Sequence, residues 1–147
     1  MLNMLQTPFT QTRDDLFEQV LDAAPAEVAD AVLQQTLVGE PSLDQVLARL
    51  AALLGVSKAE ALSVLGISRS RKSKNPAMNV ELLDRTYSAL TLFARVASIL
   101  GYEGAKAWFS SPKAALDGAT PVDLLATRVG VGKLQDMLTA LEDGTFL

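Results

Sequence analysis

The sequence predicts an all-α fold, and three features of its 147 residues support this prediction. Almost half of the residues are apolar (49%), whereas only 5% are aromatic. Leucine and alanine supply most of the apolar content, and both lose little side-chain freedom in a helix. Capping residues and glycines divide the chain at helical lengths. Alternation of apolar and polar residues with a period of two never persists, so no strand is predicted.

Residues 1–37 predict a pair of short helices, which we call the N-terminal helical extension. Thr12 precedes acidic residues that suit the positive end of a helix dipole, so we expect the first helix to begin there. Pro25 is expected to open the second helix, which would end near Gly39. The residues expected to face inward are Leu16, Val20, Leu21, Val28, Ala31 and Val32.

Residues 38–91 predict a helix-turn-helix domain. The segments 42–45 and 57–60 both have the pattern of a capping box, in which a serine and an acidic or amide side chain satisfy free backbone N–H groups. Gly55 and Gly66 are expected to end the two helices that follow these boxes. Two short capped helices in succession resemble the first half of a helix-turn-helix.

Asn79 is predicted to cap a long helix that Gly101 ends. One face of this helix carries a broad apolar stripe, which identifies the side expected to face the core. The residues of the stripe are Leu82, Leu83, Tyr87, Leu90, Phe93, Ala94, Ala97 and Leu100.

Residues 92–147 predict a domain of shorter elements. A helix over residues 103–109 carries the sole tryptophan, Trp108, which we expect in the core. After a small turn over residues 111–118, Thr120 is expected to cap a helix that has proline at its first position. Gly130 and Gly132 are expected to bracket a turn before a final helix. The inward residues of the final helix would be Leu134, Met137, Leu138 and Leu141, with Gly144 as its cap.

The composition excludes most kinds of catalytic site. The chain has no histidine and no cysteine, so it lacks the commonest general base, thiolate metal ligands and disulfides. The adjacent acidic pairs 14–15 and 142–143 point about 100° apart on a helix, and such pairs do not share a site. The glycines at 130 and 132 do not follow a strand, so a phosphate cradle is not predicted. We therefore expect a non-enzymatic binding protein with no catalytic residue, no metal and no cofactor.

The N-terminus has neither a basic region nor a continuous apolar stretch, so it does not resemble a signal peptide. No apolar run approaches the ~20 residues of a membrane span. We therefore expect a cytoplasmic protein without membrane contact.

The segment 68–75 concentrates positive charge in an otherwise acidic chain. It holds four of the 13 basic residues, and no acidic residue lies between Glu60 and Glu81, although the net charge of the chain is −4. Such a cluster can neutralise phosphates, and arginine, serine and asparagine can also contact bases. The alternative is a solvated charged loop, but its place after two capped helices favours DNA. The predicted DNA-binding residues are Ser68, Arg69, Ser70, Arg71, Lys72, Lys74 and Asn75.

The C-terminal third resembles the toxin-binding domain of the Xre/MbcA/ParS antitoxins. The resemblance covers residues 92–146 and consists of motifs in a fixed order. These are Trp108 with Pro112, Leu116-Asp117-Gly118, Pro121-Val122-Asp123-Leu124-Leu125, Gly130, and a terminal helix that ends in Gly144. Residues 38–91 are similar to the Xre-like helix-turn-helix of the same family, with residues 53–55 and 65–68 in the expected places. Residues 1–37 lie outside the resemblance.

This resemblance implies an antitoxin paired with a RES-domain toxin, a class of toxin that degrades NAD or uses it to ADP-ribosylate a target. Family members cover the NAD pocket of the toxin with their C-terminal end and repress their own operon. The large apolar residues that follow Gly144 are either tucked into the core or offered to a partner. The toxin-binding residues implied by the resemblance are Leu141, Glu142, Asp143, Gly144, Thr145, Phe146 and Leu147.

One departure from the family pattern concerns DNA binding. Between Ile67 and Met78 the chain is a few residues shorter than the pattern, and Arg71 or Lys72 stands where many members have an apolar residue. A helix without an inward apolar residue cannot dock on the fold by burial. Two alternatives follow. Either the segment is a basic loop that becomes ordered when it binds DNA, or its affinity for DNA is reduced.

The leading interpretation is a type II antitoxin that sequesters a RES-domain toxin and binds operator DNA. Palindromic operators favour two-fold symmetric proteins, so we expect a homodimer within a hetero-oligomer. One alternative is a stand-alone helix-turn-helix transcriptional regulator whose C-terminal domain only dimerises. Another is a helical adaptor that does not contact DNA.

Overall fold

The computed structural model describes residues 8–37, 42–67 and 77–144. These residues contain helices and no strand, which confirms the predicted all-α fold. The α-helices are α1 (Pro8–Leu21), α2 (Pro25–Leu33), α3 (Leu43–Leu54), α4 (Lys58–Val64), α5 (Val80–Ser110), α6 (Pro121–Leu124) and α7 (Arg128–Glu142), with one 3-10 turn (Ala114–Leu116).

Helix α5 is the element on which most of the other helices pack. It contacts α1, α2, α3, α6 and α7, and the predicted stripe supplies its buried side. Leu90, Phe93 and Ala94 are almost completely buried. The buried residues of both halves of the chain join in one hydrophobic core.

Gly101 interrupts α5, as the sequence predicts. Its φ of 78° and ψ of 171° are not helical, and a positive φ costs glycine little. The rings of Phe93 and Phe109 stack with centroids 5.5 Å apart, whereas an unbroken helix would separate them by ~24 Å along its axis. The chain therefore turns back on itself at Gly101 and forms a helical hairpin.

Leu100 does not face the core as predicted, because 45% of its surface is exposed. It occupies the last position before the break at Gly101, beyond Val96 and Ala97, which are both buried. The periodicity of the stripe extends one residue further than the surface on which the helix packs.

The predicted caps at α3, α4 and α5 are confirmed. At α3, the Gln45 N–H donates to the Ser42 hydroxyl (3.2 Å), and the Ser42 N–H donates to the Gln45 side chain (2.9 Å). The segment 57–60 forms the equivalent box at α4. At α5, the Leu82 N–H donates to the Asn79 side chain at 2.9 Å. Because these bonds satisfy N–H groups that have no partner inside the helix, each fixes a helix start locally.

The start of α1 differs from the prediction, since Thr12 lies inside the helix rather than at its cap. The helix already includes Pro8, whose fixed φ suits a first turn. Phe9 packs against the core, and the Arg13 guanidinium lies over its ring at 5.6 Å. These contacts extend the helix by a turn before Thr12.

The end of α2 also differs, because the helix ends at Leu33 and not near Gly39, which lies outside the described residues. Gln35 adopts a φ of 59°, a left-handed conformation that glycine usually adopts at this position after a helix. The Thr36 N–H then donates to the Ala31 carbonyl at 2.8 Å, and the Gln35 N–H donates to the Val32 carbonyl at 3.2 Å. This is the hydrogen-bond pattern of a Schellman motif, formed here without glycine.

The turn predicted at Gly130 and Gly132 is wrong, because both glycines lie inside α7. The Gly130 N–H donates to the Thr127 hydroxyl at 2.9 Å, so the helix is capped by Thr127. A Cβ atom at Gly130 would overlap the carbonyl oxygen of Leu124, whereas a Cβ at Gly132 would meet nothing within 4 Å. Gly130 therefore permits close packing of α7 on α6.

Arg95 ties the end of α7 to α5. Its guanidinium donates to both carboxylate oxygens of Glu142, at 2.6 and 3.2 Å, and to the Thr139 hydroxyl at 3.2 Å. The hydrogen bond from Arg95, with a smaller contribution from its charge, lowers the pKa of Glu142 although burial opposes this.

We predict opposite effects for alanine at the two glycines of α7. Gly130→Ala should lower the free energy of unfolding by roughly 1–3 kcal/mol, because its methyl group meets backbone. Gly132→Ala is the matched control and should raise it by roughly 0.5–1 kcal/mol, because alanine is the better helix former and has room. Thermal and urea unfolding measure both, and equal effects would contradict the packing described for Gly130.

We also predict that the Arg95–Glu142 pair makes stability pH-dependent. Because the pKa of Glu142 is lowered on folding, its contribution is present above the ordinary glutamate pKa and is lost as the pH falls through the folded value. Glu142→Gln should lower the free energy of unfolding by about 0.5–1 kcal/mol at pH 7 for this partly exposed pair. Urea unfolding at pH 7 and pH 3 should show a smaller difference between variant and wild type at pH 3, and a constant difference would exclude this pair as the cause.

Candidate functional site

The predicted DNA-binding residues lie outside the part of the chain that the structure describes. They are Ser68, Arg69, Ser70, Arg71, Lys72, Lys74 and Asn75. The structure describes the two helices that precede them, α3 and α4, which pack on each other. Gly55, with a φ of 70°, ends α3, and the Val56 N–H donates to the Ala51 carbonyl at 3.0 Å. The basic segment thus follows directly from a compact pair of capped helices.

Four of the seven predicted toxin-binding residues are described, and they form the end of α7. Leu141 is partly buried and packs against the core. Glu142 is bound to Arg95, so its carboxylate already has a partner within the chain. Asp143 is the C-cap, and the Gly144 N–H donates to the Leu141 carbonyl at 3.0 Å. Thr145, Phe146 and Leu147 lie outside the described residues.

These contacts give the four residues a supporting role. They hold the end of α7 against α5 up to Gly144, the last residue that the structure describes. The predicted DNA-binding residues follow α4 in the sequence, whereas the predicted toxin-binding residues form the end of α7 and follow it.

Arg85 connects the two halves of the chain, a role that the sequence did not indicate. Its guanidinium donates to the Ala126 carbonyl, just before α7, at 2.7 Å. It also lies beside Gly66, close to where a Cβ atom would be. The neighbouring Asp84 pairs with Arg128 at 3.3 Å. The sequence does not indicate this contact, because Arg85 and Ala126 are 41 positions apart.

A groove of about 700 Å³ lies between the 3-10 turn, α6 and the first half of α7. Leu116, Leu124 and Met137 contribute apolar surface to it, and Val129 lies at the groove with 74% of its surface exposed. Its charged residues are Asp117, Asp123, Lys133 and Asp136. The sequence does not reveal this groove, because its residues come from three separate elements.

Trp108 lies at the edge of the core and is partly exposed. Its ring packs edge-on against Phe109 with centroids 5.1 Å apart, and the Lys113 ammonium lies 5.1 Å from its ring centre. Partial burial lowers the pKa of Lys113. Trp108 therefore joins the 3-10 segment to the second half of α5.

No group of three or more acidic side chains in residues 8–37, 42–67 and 77–144 could hold a metal ion. None of the helices in those ranges has the length and apolar character needed to cross a membrane.

Comparison with known proteins agrees with the arrangement of the C-terminal half. The family model described as "Antitoxin Xre/MbcA/ParS C-terminal toxin-binding domain" matches residues 95–144, from the second half of α5 to the cap of α7. A curated relative, Antitoxin Xre of Pseudomonas putida strain KT2440, is 30% identical over 77 residues. The aligned region covers 52% of this chain and 48% of the relative, so the chain spans about half the length of the curated relative it matches.

The matched region contains the Thr120-capped α6, the Gly130 contact and the Arg95–Glu142 pair described above. Residues 95–144 are therefore similar to the C-terminal toxin-binding domain of the Xre/MbcA/ParS antitoxins.

Proposed function

We propose that this chain is the antitoxin of a type II toxin–antitoxin system and that it neutralises a RES-domain toxin. The observation that carries the proposal is the match of residues 95–144 to a toxin-binding domain. In this proposal the chain acts by binding and carries out no catalysis. The residues after α7 cover the NAD pocket of the toxin, so that NAD cannot enter.

The geometry of the α7 end supports this mode of inhibition. The Arg95–Glu142 pair and the cap at Gly144 hold the helix end in place up to the point where the last three residues begin. A tail that leaves a fixed support loses less conformational entropy on binding than one that leaves a mobile support. Phe146 and Leu147 supply apolar surface that a pocket can bury.

We further propose that the chain represses its own operon through the segment 68–75. Two features support this role: α3 and α4 form a compact capped pair, and the segment that follows holds four basic and no acidic residues. Two copies of the chain would present two such segments to a palindromic operator, which is why we propose a homodimer within the toxin complex.

The first experiment is co-expression of the chain with the protein encoded beside its gene. The proposal expects the neighbouring protein to arrest growth alone, and the chain to restore growth and to co-purify with it. A harmless neighbour that does not co-purify would contradict the antitoxin role and leave the stand-alone regulator as the better description.

We predict that a chain lacking residues 144–147 is folded but protects poorly against the toxin. The buried side chains of α7, Leu134 and Leu138, precede the deletion, so the melting temperature should stay close to that of the wild type. Growth rescue and toxin affinity should fall. Phe146→Ala should reproduce much of the loss, and Thr145→Ala is the matched control that should not. Full protection by the truncated chain would show that the tail does not cover the pocket.

We predict that Arg71→Ala with Lys72→Ala weakens operator binding and reduces its salt dependence. Each lost phosphate contact should lower the slope of log affinity against log salt by about 0.9. The control is Lys106→Ala with Lys133→Ala, which changes the charge equally outside the segment. Fluorescence anisotropy with operator DNA over a salt series measures both slopes, and equal slopes would argue against the segment as the DNA contact.

A further inference from the structure

We propose that the groove between the 3-10 turn, α6 and α7 binds a segment of the partner toxin in which an apolar side chain is flanked by lysine or arginine. This inference rests on the proposed antitoxin function and adds a second contact to it. The groove is formed by residues 115–137, whereas the proposed tail contact begins at Leu141. The two contacts can therefore be tested separately.

The shape of the groove is fixed by contacts inside the chain. Gly130 allows α7 to lie directly on the Leu124 carbonyl, so that two walls meet without a side chain between them. The Thr120 capping box fixes the start of α6, and the Arg85 bond to the Ala126 carbonyl holds the segment between α6 and α7. A rigid groove favours binding because little ordering is needed when a partner enters.

The charges around the groove favour a basic partner. Asp117, Asp123 and Asp136 line it, and Lys133 is the one basic residue among its lining residues. Within the ranges that the structure describes, neither Asp117 nor Asp136 has an ion-pair partner. Carboxylates arranged around an apolar floor attract lysine or arginine, and they repel segments of like charge.

Val129, in the first turn of α7, lines the groove and suits an interface. It leaves 74% of its surface exposed, and burial of this surface by a partner would favour binding.

The occupant we favour is the toxin rather than a second copy of this chain. The chain holds 17 acidic and 13 basic residues, and four of the basic residues lie in the segment 68–75 that we assign to DNA. An acidic groove would repel the remaining, more strongly acidic surface of a second copy. A separate protein with a basic segment meets no such repulsion.

The test compares groove variants with matched controls for affinity to the purified protein encoded beside the gene. Val129→Lys and Asp136→Lys should each weaken binding by about tenfold or more at about 0.15 M salt, because one loses buried apolar surface and the other reverses a complementary charge. The controls, Leu33→Lys and Asp30→Lys on α2, replace an equally exposed leucine and a carboxylate outside the groove. They should bind like the wild type. Circular dichroism melting curves of all four variants should match that of the wild type.

Salt separates the two effects. The loss caused by Asp136→Lys should shrink at about 1 M salt. Part of the loss caused by Val129→Lys should persist, because lost burial of apolar surface is not screened by salt.

Three other outcomes of these experiments would contradict the proposal. If wild type binds and the groove variants bind equally well, the groove is not the contact, and the proposed function stands without it. If wild type does not bind, the proposed function fails and this inference fails with it. If Val129→Lys changes the mass of the isolated chain in light scattering, the groove joins two copies of the chain, which overturns the toxin as its occupant.

Discussion

Burial of the apolar face of α5 is the interaction on which the rest of the structure depends. Five other helices pack on this helix, and its interruption at Gly101 lets the chain double back so that Phe93 and Phe109 stack. The hairpin thus supplies both the centre of the core and the first element of the toxin-binding domain. Burial of apolar surface is the largest favourable term in folding, so the placement of α1, α3 and α7 follows from this one helix.

Polar contacts help to fix the orientation of the elements that pack around α5. Arg85 reaches from α5 to the Ala126 carbonyl and lies beside Gly66, and the α4 helix contacts α6. The proposed DNA segment begins two residues after Gly66, and α7 begins two residues after Ala126. One side chain therefore bonds to the backbone just before α7 and also lies beside Gly66, just after the end of α4.

The charge distribution matches a protein with two different partners. All 17 acidic residues lie outside the segment 61–80, and the basic residues within that interval are confined to 68–75. A basic segment suits the phosphate backbone of DNA. The groove at α6 and α7 combines apolar surface with carboxylates, which suits a protein partner. In the proposed function, the two partners approach surfaces of opposite charge, so neither competes for the contacts of the other.

The sequence by itself determined the all-α fold and the caps at Ser42, Ser57 and Asn79. It also contains the order of motifs by which the C-terminal part resembles the toxin-binding domain of the antitoxins. These features were predictable because a cap joins residues that are three positions apart, and a stripe depends on the helical period alone. Only the tertiary structure showed that Gly130 belongs to a helix and that Gln35 adopts the positive φ usually found at glycine after a helix end. Only the tertiary structure brings together the residues of the 3-10 turn, α6 and α7 that line the groove. A glycine in the sequence is compatible both with a turn and with a close contact between helices. At Gly130 it permits a close contact, because the Leu124 carbonyl lies where a Cβ atom would be. Tertiary packing, and not the local sequence, places that carbonyl beside Gly130.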